Sequence, residues 1–335
     1  MTKQTYLTGI TTTGTPHLGN YVGAIRPAIA ASKIAENESY YFLADYHALI
    51  NASDPASVRQ SRLEIAATWL AMGLDTDRST FYRQSDIPEI PELTWVLTCM
   101  TAKGLMNRAH AYKGVVQENI DAGTSDPDKG ISMGLFNYPI LMSADILMFK
   151  ATRVPVGKDQ IQHLEMCRDI AQRFNHHYGE LLVIPEVEVD ENTALITGLD
   201  GRKMSKSYKN TIPLFGTAKQ LRKMIMKIKT NSLEPGEPKE HEGNTVFDIY
   251  KAFATAEQTE AFKQDYANGI GWGDAKQKLF ELLDAELSEP REKYDELMAR
   301  PDDVEDVLRA GAAKARVQSK ELMGQIREAV GLSNL

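Results

Sequence analysis

Residues 11–20, TTTGTPHLGN, gather four threonines, two glycines and a histidine into ten positions. They follow an expected strand, Thr5–Ile10, and open an expected helix from about Leu18 to Ala35. Gly9, Gly14 and Gly19 let backbone approach a ligand closely, while hydroxyls and free helix-start N–H groups supply donors. That chemistry is phosphate binding. There is no GxxxxGK[ST] and no GxGxxG, so neither a P-loop nor a dinucleotide fingerprint accounts for it. A second segment, GRKMSKS at 201–207, sets Lys203 and Lys206 three apart among Ser205, Ser207 and Gly201. A mobile cationic loop of this kind can close over a polyphosphate and neutralise developing charge. A third group is Tyr138, Met142 and Asp145, which share one face of a helix at i, i+4 and i+7. For Tyr138 and Met142 the spacing alone fits a packed core face. Asp145 sits among Ile140, Leu141, Ile146 and Leu147, where an acid without a partner costs free energy, and it reads as a pocket carboxylate.

The elements that must position these residues alternate in the first half of the chain. Tyr40–Ala44 and Ser79–Arg83 read as strands, and Pro55–Met72 and Pro91–Thr101 as helices. Tyr138–Lys150 has regular structure, followed by the apolar piece Val154–Val156. The β-α-β-α order predicts a parallel sheet covered by helices on both faces. Five glycine or proline interruptions in 110–137 predict an irregular, mobile insert. From residue 200 the character changes. Residues 202–233 hold nine Lys or Arg and no acid. A one-signed run of that length, interleaved with Met224, Ile225 and Ile228, reads either as a solvated helix face or as a phosphate- or RNA-facing surface. After the loop Glu234–Gly243 only helices are expected, around Val246–Ala256, Lys276–Leu287 and beyond Pro301. The fold class is therefore α/β: a Rossmann-like parallel-sheet domain over 1–200, then an all-α domain over 201–335, its last helix free to pack back on the first domain.

Bulk properties narrow the class. With 38 Lys+Arg against 46 Asp+Glu, the 335-residue chain carries a net charge of −8, which excludes a generally basic nucleic-acid coat but not a local basic surface. Charged residues at 25% and hydrophobic ones at 42% exclude disorder. Cys99 and Cys167 are too few for a disulfide scaffold or a four-cysteine metal site, and read as two buried free thiols in a reducing cytosol. No apolar run reaches membrane-spanning length and the N-terminus lacks a signal-peptide core. The expectation is a cytoplasmic protein with no membrane contact.

A first-strand HLGN turn with a downstream KMSKS loop resembles the class I aminoacyl-tRNA synthetases. GNYVGAI (19–25), YPILMSADIL (138–147) and VPVGKDQIQHLEMCRDIAQRF (154–174) extend the resemblance over nearly the whole chain, toward the tryptophanyl members. Three positions depart from the wider pattern. Asn20 stands where other class members have a second histidine, Thr11-Thr12-Thr13 replaces a Gln-Pro-Ser turn, and Tyr208 stands where Asp is frequent.

The resemblance implies a tryptophan–tRNA ligase that uses ATP with Mg²⁺ as its substrate complex. His17, Asn20, Lys203 and Lys206 would be catalytic, with no protein nucleophile. ATP would contact Thr11, Thr12, Thr13, Gly19, Asn20, Gly157, Lys158, Asp159, Ile196, Lys203, Met204, Ser205, Lys206 and Ser207. Tryptophan would contact Tyr138, Met142, Asp145, Gln160 and His47. Asp145 would accept the indole N–H, and Met142 would face the ring where the tyrosine enzymes place Gln. Arg222, Lys223 and Lys227 would bind tRNA(Trp), the helical domain would take the anticodon arm, and the enzyme would be a homodimer. A tyrosyl-type synthetase conflicts with Met142. A small-molecule nucleotidyltransferase has no use for a basic helical domain, and a non-catalytic RNA-binding paralogue has no need of two intact signatures.

Overall fold

Five short strands, the central ones apolar on both faces, build the centre of the protein. The computed structural model describes residues 4–51, 54–157, 160–189 and 196–333. Strands β1 (Gln4–Thr11), β2 (Asn37–Ala44), β3 (Ser79–Arg83), β4 (Arg153–Val156) and β5 (Glu186–Val189) form one parallel sheet in the order β3-β2-β1-β4-β5. In β2, Tyr41 and Leu43 face one side of the sheet, while Tyr40, Phe42 and Ala44 face the other. Both faces are therefore apolar, as a sheet covered by helices on each side requires. The strand order reverses direction between β1 and β4. The crevice beyond their carboxyl ends is where open parallel sheets bind ligands.

The helices divide between the faces. After β1 come α1 (Leu18–Asn20), a π-helical turn over Tyr21–Ile25, and α2 (Arg26–Ser32), which packs on β2, where the Tyr41 hydroxyl donates to the Ala28 carbonyl at 2.6 Å. A short α3 (Asp45–Ala48) continues β2, and α4 (Pro55–Ala71) packs Ile65, Ala66 and Trp69 against Tyr41 and Phe81. On the opposite face, α5 (Glu89–Met100), α8 (Met133–Met148) and α9 (Ile161–Tyr178) bury Leu93, Leu97, Ile140, Ala144 and Leu164 against Phe42 and Tyr82. Between α5 and α8 come α6 (Lys103–Met106) and α7 (His110–Asp121).

That last helix corrects the expectation of an irregular stretch over 110–137. Gly114 sits inside α7, where glycine weakens a helix without forbidding it. The following turn is tied back by Asn119, whose amide donates to the carbonyls of Pro127 and Lys129, and by the Tyr112 hydroxyl on Asp128. The expected buried pair of thiols is also corrected. Cys167 is buried but Cys99 is exposed, because it lies with Trp95 on the face of α5 opposite Leu93 and Leu97.

The second half is helical: α10 (Ala218–Met226), α11 (Thr245–Phe253), α12 (Ala256–Ala267), α13 (Trp272–Ala299) and α14 (Pro301–Ala329). Its core is continuous with one face of the sheet, since Leu279, Leu283 and Leu287 of α13 join the cluster that holds Ile65 and Trp69. Helix α14 runs along the edge strand β3 and contacts α4 and α5, covering backbone that would otherwise be an open edge. Gly311 makes this approach possible, because a Cβ there would stand 1.7 Å from the Phe81 carbonyl oxygen. Arg83, at the end of β3, donates to both oxygens of Glu305, at 2.6 and 2.8 Å. No helix among the described residues is long and apolar enough to cross a membrane.

Candidate active site

Two adjoining cavities open at the carboxyl ends of the strands, where the order switches. The first encloses about 640 Å³ and is lined by Thr11, Thr13, His17, Gly19, Asn20, Ile196, Lys203, Met204, Ser205, Lys206 and Ser207. Eleven of the residues singled out for ATP or catalysis thus meet in one place, although residue 207 lies far along the chain from residue 11. Gly14, at φ +61°, occupies the left-handed region that glycine enters without strain. The chain then turns into α1, where the Asn20 side-chain oxygen accepts the His17 N–H at 3.1 Å. Asn20 therefore caps the helix start as well as lining the cavity.

His17 is 6% exposed. Burial, and then the positive charge of Lys206, lower its pKa to about 4, so at neutral pH the ring is uncharged and carries one N–H. Its Nδ1 is buried with no partner among the described residues, an unmet hydrogen-bonding group at the cavity wall. Lys206 Nζ donates to the Thr13 carbonyl, which docks the 201–207 loop on the glycine turn. Burial lowers the Lys206 pKa. The loop is held from behind by Asn210, whose Oδ1 accepts the Ser205 N–H at 2.8 Å and whose amide donates to Asp200 at 2.7 Å. Hydrogen bonds from Asn210 and Arg202 hold Asp200 down at about 2. Met204 and Ile196 are buried and joined by a backbone hydrogen bond of 2.9 Å, giving the cavity an apolar wall. Thr12 is not at the wall. It is buried behind the cavity, its hydroxyl without a partner among the described residues.

The second cavity, about 500 Å³, shares Gly9, Thr11 and Gly23 with the first. A Cβ on Gly9 would come within 2.4 Å of the Phe42 ring, so only glycine fits at this shared wall. Tyr138, Met142, Asp145, Gln160, His47 and Gly157 all line this second space. Lys158 and Asp159 lie outside the described residues. Asp145 is 1% exposed. Its carboxylate accepts from Gln84 Nε2 at 2.8 and 2.9 Å and from His47 Nε2 at 2.9 Å. Burial raises the Asp145 pKa, and the bonds from His47 and Gln84 oppose that rise. On the same helix as Asp145, the Tyr138 hydroxyl meets the His163 ring at 2.8 Å, and His163 Nδ1 meets Gln160 Oε1 at 3.0 Å.

Three residues of this arrangement escaped the sequence reading. Gln84 follows the Phe-Tyr-Arg end of β3, and a polar residue just past a strand at the ligand edge was the available signal. His163 lies in the first turn of α9, three residues after Gln160, which immediately precedes that helix. Asn210 carries no local signal. Arg222, Lys223 and Lys227 stand apart from both cavities. Helix α10 buries Leu221 and Ile225 and turns its basic residues to solvent. Lys223 and Lys227 line a separate groove of about 380 Å³ beside Thr15, and Arg222 donates to Gln277 at 3.1 Å.

Residues 2–309 match the family described as tRNA synthetases class I (W and Y). The chain is 62% identical over 332 residues to the tryptophan–tRNA ligase of Pseudomonas aeruginosa, covering 98% of this chain and 74% of that one. It is 59% identical over 335 residues to the tryptophan–tRNA ligase of Neisseria meningitidis, covering all of both. Among solved structures it is similar to the tryptophanyl-tRNA synthetase of Campylobacter jejuni complexed with ADP and tryptophan, with a TM-score of 0.87, 42% identity, and coverage of 98% of this chain and all of that one. A tyrosyl-tRNA synthetase from Archaeoglobus fulgidus shares the fold at 18% identity and a TM-score of 0.64, over 88% of this chain and 90% of that one.

Proposed function

The chain belongs to the class I tRNA synthetases of the tryptophan and tyrosine group, and from this we propose how its two cavities divide the work. The reaction is ATP-dependent activation of L-tryptophan and its transfer to tRNA(Trp). The nucleotide occupies the cavity between the glycine turn and the 201–207 loop, and tryptophan occupies the cavity around Asp145. Their shared wall at Gly9, Thr11 and Gly23 brings the amino-acid carboxylate to the α-phosphorus. In-line attack forms the mixed anhydride and releases pyrophosphate; a ribose hydroxyl of the terminal adenosine of the tRNA then attacks the adenylate's carbonyl carbon, taking the aminoacyl group and releasing AMP. No side chain needs to act as nucleophile, so rate comes from positioning and from donors aimed at the phosphate oxygens. His17 enters as a neutral donor, Lys203 and Lys206 as cations, and Asn20 by fixing the turn. Mg²⁺ arrives as part of the ATP complex, on its phosphates.

The observation that carries the tryptophan reading is one buried carboxylate, Asp145, in a cavity whose same helix face presents Met142. Indole offers a single N–H donor and no acceptor, which matches a carboxylate beside an apolar wall. Pyrophosphate–ATP exchange across the twenty amino acids, with and without tRNA, is the test. Exchange is expected with tryptophan alone, and a tyrosine-dependent signal of equal size would overturn the assignment.

Helix α10 is proposed to meet tRNA. Replacing Arg222, Lys223 and Lys227 together by Gln should raise KM for tRNA and flatten its salt dependence, because fewer counterions are released. Exchange without tRNA should keep its wild-type rate. An unaltered salt slope would leave these residues as a solvated face. A homodimer is supported by an apolar groove of about 660 Å³ lined by Leu49, Ile50, Pro91, Met133 and Leu141, with Leu49 and Met133 more than half exposed. The helical region is proposed to take the anticodon arm, and the location to be cytoplasmic.

A further inference from the structure

The end of strand β3 carries a residue with no role in the scheme above. Gln84 is completely buried and does not line either cavity, yet it is tied on both sides. Its Oε1 accepts the Tyr46 N–H at 3.0 Å. That backbone group can only donate, so the amide orientation is settled by the network and the NH₂ faces Asp145. Nε2 then donates to Asp145 Oδ1 at 2.8 Å and to Oδ2 at 2.9 Å. His47, one residue beyond Tyr46, adds a second donor to Oδ2 at 2.9 Å. The neighbours of Gln84 are pinned as well: Arg83 to Glu305 of α14, and Ser85 to Asp45 through its backbone N–H at 3.0 Å. A buried, rigid amide thus holds both the carboxylate and the start of the helix that carries His47.

We infer that Gln84 is a positioning residue for specificity, one that fixes the direction of the Asp145 carboxylate and reserves Oδ1 for the donor on the substrate ring. The inference rests on the tryptophan reading of the cavity. A carboxylate has about four acceptor positions. Among the described residues, two donors sit on Oδ2 and one on Oδ1, so the less occupied oxygen is the one left to an indole N–H. Without Gln84 the carboxylate would be free to rotate about its own bond and to take up a proton, and a protonated acid is a poorer acceptor.

The groups that face Asp145 are His47 and Asp45 from the α3 side and Tyr82 from β3. Burial raises its pKa, and His47 and Gln84 hold it down. Gln84→Met keeps the length and removes the donor. It should lower kcat/KM for tryptophan about 10- to 100-fold at neutral pH, the loss of a hydrogen bond to a charged group. With the donor gone the Asp145 pKa rises further, so the acid limb of the pH profile moves up and activity recovers as pH increases. Gln84→Glu should respond oppositely. Its added carboxyl shares one proton with Asp145 at low pH and still donates; at higher pH that proton leaves and two like charges face each other, so activity falls.

The experiment measures pyrophosphate exchange by the full-length enzyme with tryptophan and with 3-benzothienylalanine, whose sulfur replaces the indole N–H. Gln84→Met should change kcat/KM for the sulfur analogue by no more than about 3-fold and leave KM for ATP unchanged, so the preference for tryptophan collapses. Equal losses for both amino acids, or an unmoved pH profile, would reduce Gln84 to a packing residue. If Gln84→Met does not fold, the sign of the pH response in Gln84→Glu decides: a fall with rising pH supports the assignment, and a flat profile overturns it. Wild-type enzyme that uses the sulfur analogue as well as tryptophan would instead sink the reading of the cavity itself.

Discussion

Lys206→Ala is expected to slow single-turnover formation of tryptophanyl-adenylate by roughly 10²–10³-fold, the scale of losing one preorganised donor to a developing oxyanion. The ammonium docks on the Thr13 carbonyl and lines the nucleotide cavity beside His17 and Ser205. It therefore stands within a side chain's reach of any phosphate held by the glycine turn. Exchanging a neutral carbonyl for a phosphate oxygen strengthens its interaction most when charge is greatest, in the transition state rather than in bound ATP. KM for tryptophan should barely move, because the Asp145 cavity is lined by other residues. Rapid-quench measurement of adenylate on the variant decides the matter. A wild-type burst would remove Lys206 from the chemistry. Lys206→Arg is the informative companion, since it keeps the charge but changes the reach and the donor geometry.

Asp145→Ala should reduce kcat/KM for tryptophan by about 10- to 150-fold, from the loss of a charged hydrogen bond worth about 1.5–3 kcal/mol. The structure adds a second consequence. Removing the carboxylate strands the Gln84 amide, which is completely buried, and leaves His47 without its 2.9 Å partner. Thermal stability should therefore fall as well, by about 1–3 kcal/mol for the unmet donors. Asp145→Asn separates the two effects, because it fills the space and keeps one acceptor while giving up the charge. ATP affinity, read by equilibrium binding, should survive in both variants. A folded Asp145→Ala enzyme that binds ATP and activates tryptophan at the normal rate would leave the preference for tryptophan resting on Met142 alone.

Strand and helix alternation was readable because it is local. β2 announces itself by an unbroken apolar, aromatic-rich run over Tyr40–Ala44 and α4 by a long stretch opened by Pro55 and free of glycine, both within the reach of a short window. Both signatures announced themselves by composition: glycines where backbone must approach a ligand, and lysines with serines where phosphate must be met. The acid-free stretch was visible as a reversal of sign. Where local signals misled, another local force won. Gly114 suggested a loop, yet α7 forms around it. Cys99 was read as buried by residue type, yet its place on α5 is set by Leu93 and Leu97, which claim the inner face.

What the sequence determined by itself is the inventory: a glycine turn for phosphate, a lysine loop, an acid out of place in an apolar helix, and a parallel α/β order to carry them. What only the tertiary structure decided is which of them meet. Lys206 reaches Thr13 across 193 residues, Asp145 meets Gln84 across 61 and His47 across 98, and α14 lies along β3. Each of these contacts depends on the strand order β3-β2-β1-β4-β5, which sets the ends of β1, β2 and β3 side by side and opens the crevice between β1 and β4. That order follows from burying two apolar sheet faces at once, a sum over the whole chain that no single segment contains.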